Sequence, residues 1–164
     1  VRDGLKAVYI DKIESDATVR VSMKIGQSLP LYCTAMGKAL LAWMPEKKVQ
    51  DLLGGVQFVK SGPNTLENLE GLMANLAEIR ERGYSIDNEE HIPGLFCIAA
   101  PVFDASGNTI AALSVAHVKI MLPDQAAVDG LSMRVMGAAD DFTSSLGGRR
   151  PNQKNLAAQV LDRR

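Results

Sequence analysis

From Leu95 to Phe103 the chain carries no Asp, Glu, Lys or Arg, and the same holds from Thr109 to Val118. Ser106-Gly107-Asn108 between them is turn chemistry, so the pair reads as an antiparallel hairpin whose first arm is a buried strand. A hairpin of this kind needs cover, and the rest of the chain must supply it. Directly ahead lies Gly83-Tyr-Ser-Ile-Asp-Asn-Glu-Glu-His91, with three acidic residues (Asp87, Glu89, Glu90) and a histidine. A charged loop feeding a buried strand is a common way to build one wall of a small-molecule pocket.

Elsewhere the pattern switches between periods of two and 3.6. Leu5–Glu14 has a β-rich centre at Val8-Tyr9-Ile10, and Thr18–Ile25 alternates Val19, Val21, Met23 and Ile25 with polar residues. These predict two strands joined by a turn at Glu14-Ser15-Asp16. Thr34 is a good N-cap for a helix running from Ala35 toward Pro45, which suits the first turn of a second short helix stopped by Gly54. Asn64, with Glu67 three residues on, predicts the cap of a third helix, apolar at Leu66, Leu69, Met73, Leu76 and Ile79 and ending at Gly83. Asp124 opens a long helix with Val128, Leu131, Val135, Ala138 and Phe142 on one face, closing at Gly147-Gly148. Hairpins without regular βαβ alternation predict an α+β fold, an antiparallel sheet with helices packed on it.

Composition excludes several classes. The 164 residues suit one domain, and 46% hydrophobic with 23% charged is ordinary for a globular chain. No apolar run approaches the ~18 residues of a membrane span, and no signal peptide opens the sequence. The chain starts at Val1 and not Met, as a fragment of something longer would. Of the 18 Lys+Arg, five fall in 149–164, against one of the 19 Asp+Glu. The body 1–148 therefore carries −5 and the tail 149–164 carries +4, within a net charge of −1. An acidic body is not the basic face that replaces counterions along DNA. Cys33 and Cys97 lie outside any CxxC pair, which argues against a metal site and for buried thiols in a reducing cytoplasm.

Three places could carry chemistry. At the start of the Thr34 helix the free N–H groups of Ala35 and Met36 could receive an anion, or small residues there could simply allow close packing. Asp87, Glu89, Glu90 and His91 could be a solvated loop, an acid–base group or a cation site, with Asp87 the most inward and able to accept hydrogen bonds from a ligand hydroxyl or a bridging water. Cys97 and Ser114, on the two hairpin arms, could present a thiol and a hydroxyl to one pocket. A nucleophilic Cys97 would need a base, and nothing local brings either His91 or His117 beside it. No ligand spacing supports a metal site from Asp87, His91, Cys97 and His117.

The spacing Gly83, three residues, Asp87, two residues, Glu90, six residues, Cys97-Ile98-Ala99, two residues, Val102-Phe103-Asp104 resembles the signature of IclR-type transcriptional regulators. So does Gly26-Gln-Ser-Leu-Pro30-Leu-Tyr-Cys-Thr34-Ala-Met-Gly37-Lys38-Ala-Leu-Leu-Ala42, and the Ala111–Val115 strand fits as well. The resemblance covers about residues 5–147 and implies a GAF/profilin-like effector-binding domain, here 1–148, followed by a basic tail, 149–164. It implies binding of a small organic-acid effector that modulates operator DNA binding by an N-terminal winged helix-turn-helix domain. No such domain precedes Val1, so this polypeptide is expected to sense but not to bind the operator. A homodimer or homotetramer is also implied; no cofactor, metal or membrane is expected, and no enzymatic activity. Effector-binding positions carried over by motif are Leu29, Ala35, Met36, Asp87, Leu95, Cys97 and Ser114; Val21, which no motif anchors, is expected to add an apolar wall from the second strand. Where some members have a second serine two residues after Ser114, this chain has Ala116. The competing expectations are an enzyme using Cys97 or the acidic loop on a similar scaffold, and a dimerisation module with a vestigial pocket.

Overall fold

A computed structural model of the chain describes residues 1–16, 21–121 and 124–151. The hairpin forms where its sequence puts it, as β5 (Leu95–Phe103) and β6 (Thr109–Val118), with β4 (Ser85–Asn88) on the other side of β5. These three strands form one antiparallel sheet. A second antiparallel sheet holds β1 (Arg2–Asp3), β2 (Lys6–Val8) and β3 (Ser28–Pro30). The expected single sheet is thus two three-stranded ones among the described residues. The helices are α1 (Ala35–Ala42), α2 (Glu46–Leu53), α3 (Leu69–Arg82) and α4 (Gln125–Ser145).

Period two along β5 divides the interior. Ala99 and Phe103 face a core built with α1, α2 and α3, including Leu31, Leu40, Leu41, Leu72, Leu76 and Ile79. Phe96, Ile98, Ala100 and Val102 face the other way, onto Val128, Val135 and Ala139 of α4. β5 is therefore covered on both faces, and each fully buried Leu, Ile or Phe contributes roughly 1.5–3 kcal/mol. Pro101, which has no N–H to donate, sits past Ala99, the last β5 residue paired with β4. All eight residues of α1 are buried, Lys38 among them. An apolar helix of this kind belongs inside a protein.

Several sequence expectations need correction. Residues 21–25 form no strand, while 17–20, the rest of the expected second arm, lie outside the described residues. β2 pairs instead with β3, Ala7 opposite Leu29, and backbone bonds between Tyr9, Gly26 and Gln27 extend the pairing. Leu29 brings a buried side chain to that pairing, whereas Ile10 and Ile25 are both 61% exposed. Alternation without a surface to cover the apolar face does not hold a strand. The cap of α3 is Asn68, whose side chain accepts from Gly71 N at 2.8 Å. Asn64 instead donates its amide to Asn88 O at 2.8 Å. On α4 the buried positions are Val128, Ser132, Val135, Ala139 and Thr143, and Phe142 is 56% exposed. The inward face is rotated from the expected one because Thr143 Oγ1 accepts from Phe103 N at 3.1 Å. Other boundaries fall as the sequence predicts: Thr34 caps α1, Gly83 ends α3 with φ 90°, and Asp124 caps α4.

Candidate functional site

Register fixes the wall of the site. Asp87 lies opposite Cys97, and Cys97 opposite Ala116, giving one row across β4, β5 and β6. Two residues along, Ser85, Ala99 and Ser114 make the next row on the same face. The first turn of α1 is set against these rows. Ser85 Oγ donates to Ala35 O at 2.5 Å, fixing the helix start to the sheet. Gly37 allows the approach on the other side: a Cβ there would lie 2.4 Å from Leu31 O and 2.6 Å from Leu31 Cα.

Thr34 Oγ1 donates to Pro30 O at 2.7 Å and accepts from Gly37 N at 3.2 Å. Backbone N–H groups of Ala35 and Met36, at the positive end of the helix, are left without an intrahelical partner. Both residues line a cavity of about 30 Å³. All seven expected residues line it: Leu29, Ala35 and Met36 on one side, Asp87, Leu95, Cys97 and Ser114 on the other. Val21 does not; the apolar contact from that segment is Met23. Tyr9, Thr34, His91, Ile92 and Ala116 complete the described lining and were not among the seven. Ala116 was legible as a lost hydroxyl, and the alternation of β6 places it beside Ser114. Tyr9 and Ile92 carry no sequence signal of their own.

The acidic loop divides by residue. Asp87 and Glu90 are buried, while Glu89 pairs with Lys119 near the surface. Asp87 Oδ1 accepts from Glu90 N at 2.7 Å and His91 N at 3.4 Å. Its Oδ2 has no hydrogen-bond partner among the described residues. Burial raises the Asp87 carboxyl above its ordinary value, opposed by those two N–H groups and by Lys38. Lys38 Nζ meets Glu90 Oε1 at 2.5 Å, with the two side chains 1% and 10% exposed. Burial lowers Lys38 and raises Glu90, so desolvation outweighs the attraction within the pair. Glu90 Oε2 is buried and has no hydrogen-bond partner among the described residues.

A second loop holds this arrangement from outside. Thr65 Oγ1 donates to Glu90 O at 2.5 Å and accepts from Gly62 N at 2.8 Å. A Cβ on Gly62 would lie 2.0 Å from Glu89 O. Glu89 itself has φ 58°, the left-handed region.

Little here can perform covalent chemistry. Burial, then Asp87 and Glu90, push the Cys97 thiol up to about 12, which keeps it protonated. His117 is paired with Phe96, whose side chain packs toward α4, so it lies on the face away from Cys97. His91 meets the other thiol, with Nδ1 3.7 Å from Cys33 Sγ. Among the described residues no group of three or more His, Cys, Asp and Glu is arranged to hold a metal ion.

An α+β body with helices on both faces of an antiparallel sheet, and a cavity between a helix start and that sheet, defines a GAF-like domain. Residues 1–142 match the family described as Bacterial transcriptional regulator IclR C-terminal, and the chain belongs to this family of regulator effector-binding domains. It is 41% identical over 140 residues to the HTH-type transcriptional regulator KdgR of Escherichia coli, covering 85% of this chain and 53% of that protein. With the HTH-type transcriptional regulator XynR of the same organism it is 40% identical over 124 residues, covering 76% and 49%. The crystal structure of the C-terminal domain of E. coli KdgR superposes with a TM-score of 0.80 at 37% identity, covering 89% of this chain and 84% of that one. The chain spans about half the length of the curated relatives it matches. Both relatives are named as HTH-type transcriptional regulators. No helix among the described residues is long and apolar enough to cross a membrane.

Proposed function

We propose that the cavity between α1 and the β4–β6 sheet is the effector site, and that its effector is a small organic acid. The observation that carries this reading is the meeting of the unpaired Ala35 and Met36 N–H groups with Asp87 and Ser114 around one cavity. An N-terminal helix turn favours a carboxylate. Asp87 and Ser114 then hydrogen-bond the effector from the sheet side, directly or through water.

Residues 1–148 form the sensing body and 149–164 a basic tail. In the parent protein, effector occupancy shifts the population of states in which an N-terminal winged helix-turn-helix engages its operator. The parent acts in the cytoplasm as a homodimer or homotetramer.

Thermal unfolding with a panel of two- to six-carbon acids tests the site. At about a hundred times Kd, binding adds about 2.7 kcal/mol, or about 5–10 °C in Tm for a domain of this size. The same acid leaves the Tm of Asp87→Ala unchanged. Equal stabilisation of both proteins removes Asp87 from the site.

A further inference from the structure

The charges behind the cavity wall do not balance. Lys38 and Glu90 sum to zero whichever of them holds the proton, and Asp87 adds one negative charge for which His91 is the remaining titratable cation nearby. The groups that face Asp87 come from every element around it. They are Lys38 on α1, Cys33 before α1, Tyr9 after β2, Cys97 on β5, and Glu90 and His91 on its own loop. Tyr9, Cys33 and Cys97 are each pushed up to about 12 by burial and stay neutral. Lys38 is committed to Glu90 at 2.5 Å.

A carboxylate docked on the Ala35 and Met36 N–H groups therefore meets a second carboxylate across a cavity of about 30 Å³. Two like charges sharing one buried site cannot both stay ionised without strong repulsion. A proton taken from solvent resolves the conflict and turns the repulsion into a hydrogen bond. Asp87 Oδ1 already accepts from two backbone N–H groups, which leaves Oδ2 as the oxygen to carry the proton.

We propose that the cavity binds an organic monoanion together with one proton, which lodges on Asp87 Oδ2 and is donated to the bound acid. This rests on the organic-acid reading above and adds its regulation: acidification favours occupancy. The Lys38–Glu90 pair has a positioning role. Its neutral sum leaves Asp87 as the acceptor of the proton, and the Glu90 N–H fixes which oxygen receives it.

Calorimetric titration of acetate and of lactate into this chain, in buffers of different ionisation enthalpy, counts the protons. We expect one proton taken up per acid bound. Affinity weakens about tenfold per pH unit as pH rises above the range in which free Asp87 holds its own proton. Asp87→Asn, whose amide mimics the protonated carboxyl, binds with no proton uptake and a flat pH profile. Zero uptake by the wild type overturns the proposal. Uptake that persists in Asp87→Asn also overturns it and assigns the proton to His91 or to the acid itself. If Asp87→Asn does not fold, the carbon NMR shift of the wild-type Asp87 carboxyl on adding lactate decides, since an ionised Asp87 in the complex refutes the idea. If neither acid binds, the titration uses whichever acid of the two- to six-carbon panel raises the Tm; if none does, the organic-acid reading falls, and this inference falls with it.

Discussion

Lys38 shows what a single residue can conceal. Its neighbours Ala39, Leu40 and Leu41 announce a buried helix, yet the partner that makes its own burial tolerable, Glu90, lies 52 positions away. No local pattern in the sequence links them, so the ion pair behind the cavity wall is visible only in the fold. Glu90 in turn reads, in the sequence alone, as one member of an acidic run. By contrast, Asp87, Cys97 and Ser114 were legible because strand alternation assigns each a face, and motif resemblance ties each to the others. Breaking a buried pair by removing one partner costs about 3–5 kcal/mol, because the remaining charge is stranded. Lys38→Met is expected to lose that much in urea unfolding. Adding Glu90→Leu to it restores most of the loss, since the stranded carboxylate is gone. An uncorrected double variant would show that the pair is not the source of the cost.

At the scale of elements, signals that act within one turn of the chain survived and those that need a distant partner did not. Thr34, Gly83 and Asp124 mark helix ends through their own hydrogen bonds or φ, and each does so in the folded chain. Asn64 and Asn68 offer the same capping chemistry, and the choice between them is made by Asn88, far along the sequence. The alternation from Thr18 to Ile25 misled for the same reason: the described part, 21–25, has no partner strand. The loop around Gly62 is an element whose function is contact with another loop. Gly62→Ala forces a methyl group against the Glu89 carbonyl, 2.0 Å away, so the two loops must separate. Overpacking of this kind costs about 1–3 kcal/mol. We expect a lower Tm and weaker acid binding with the helical circular dichroism unchanged. Full-strength binding by this variant would show that the loop does not set Asp87.

For the molecule as a whole, the buried acids make stability depend on pH in a particular direction. Asp87 and Glu90 both hold protons more tightly folded than unfolded. Their contribution is fully present below the unfolded carboxylate value and is lost as pH rises through the folded one. Asp87→Asn removes the Asp87 share of that dependence and leaves the Glu90 share in place. Its Tm should exceed that of the wild type at neutral pH, with the gap closing as pH falls. A gap that widens on acidification would contradict the burial of an ionised Asp87. A more stable but pH-blind sensor is the ordinary exchange of function for stability. The sheet that carries Asp87 is one strand layer thick, with Cys97 turned to the cavity and Ile98 turned to α4. Adjacent side chains of β5 therefore belong to two different compartments while sharing one peptide plane. The strand is a party wall: Cys97 faces the cavity, while Ile98 beside it packs with Val128 and Val135 of α4, whose outer surface carries the exposed Met133 and Phe142.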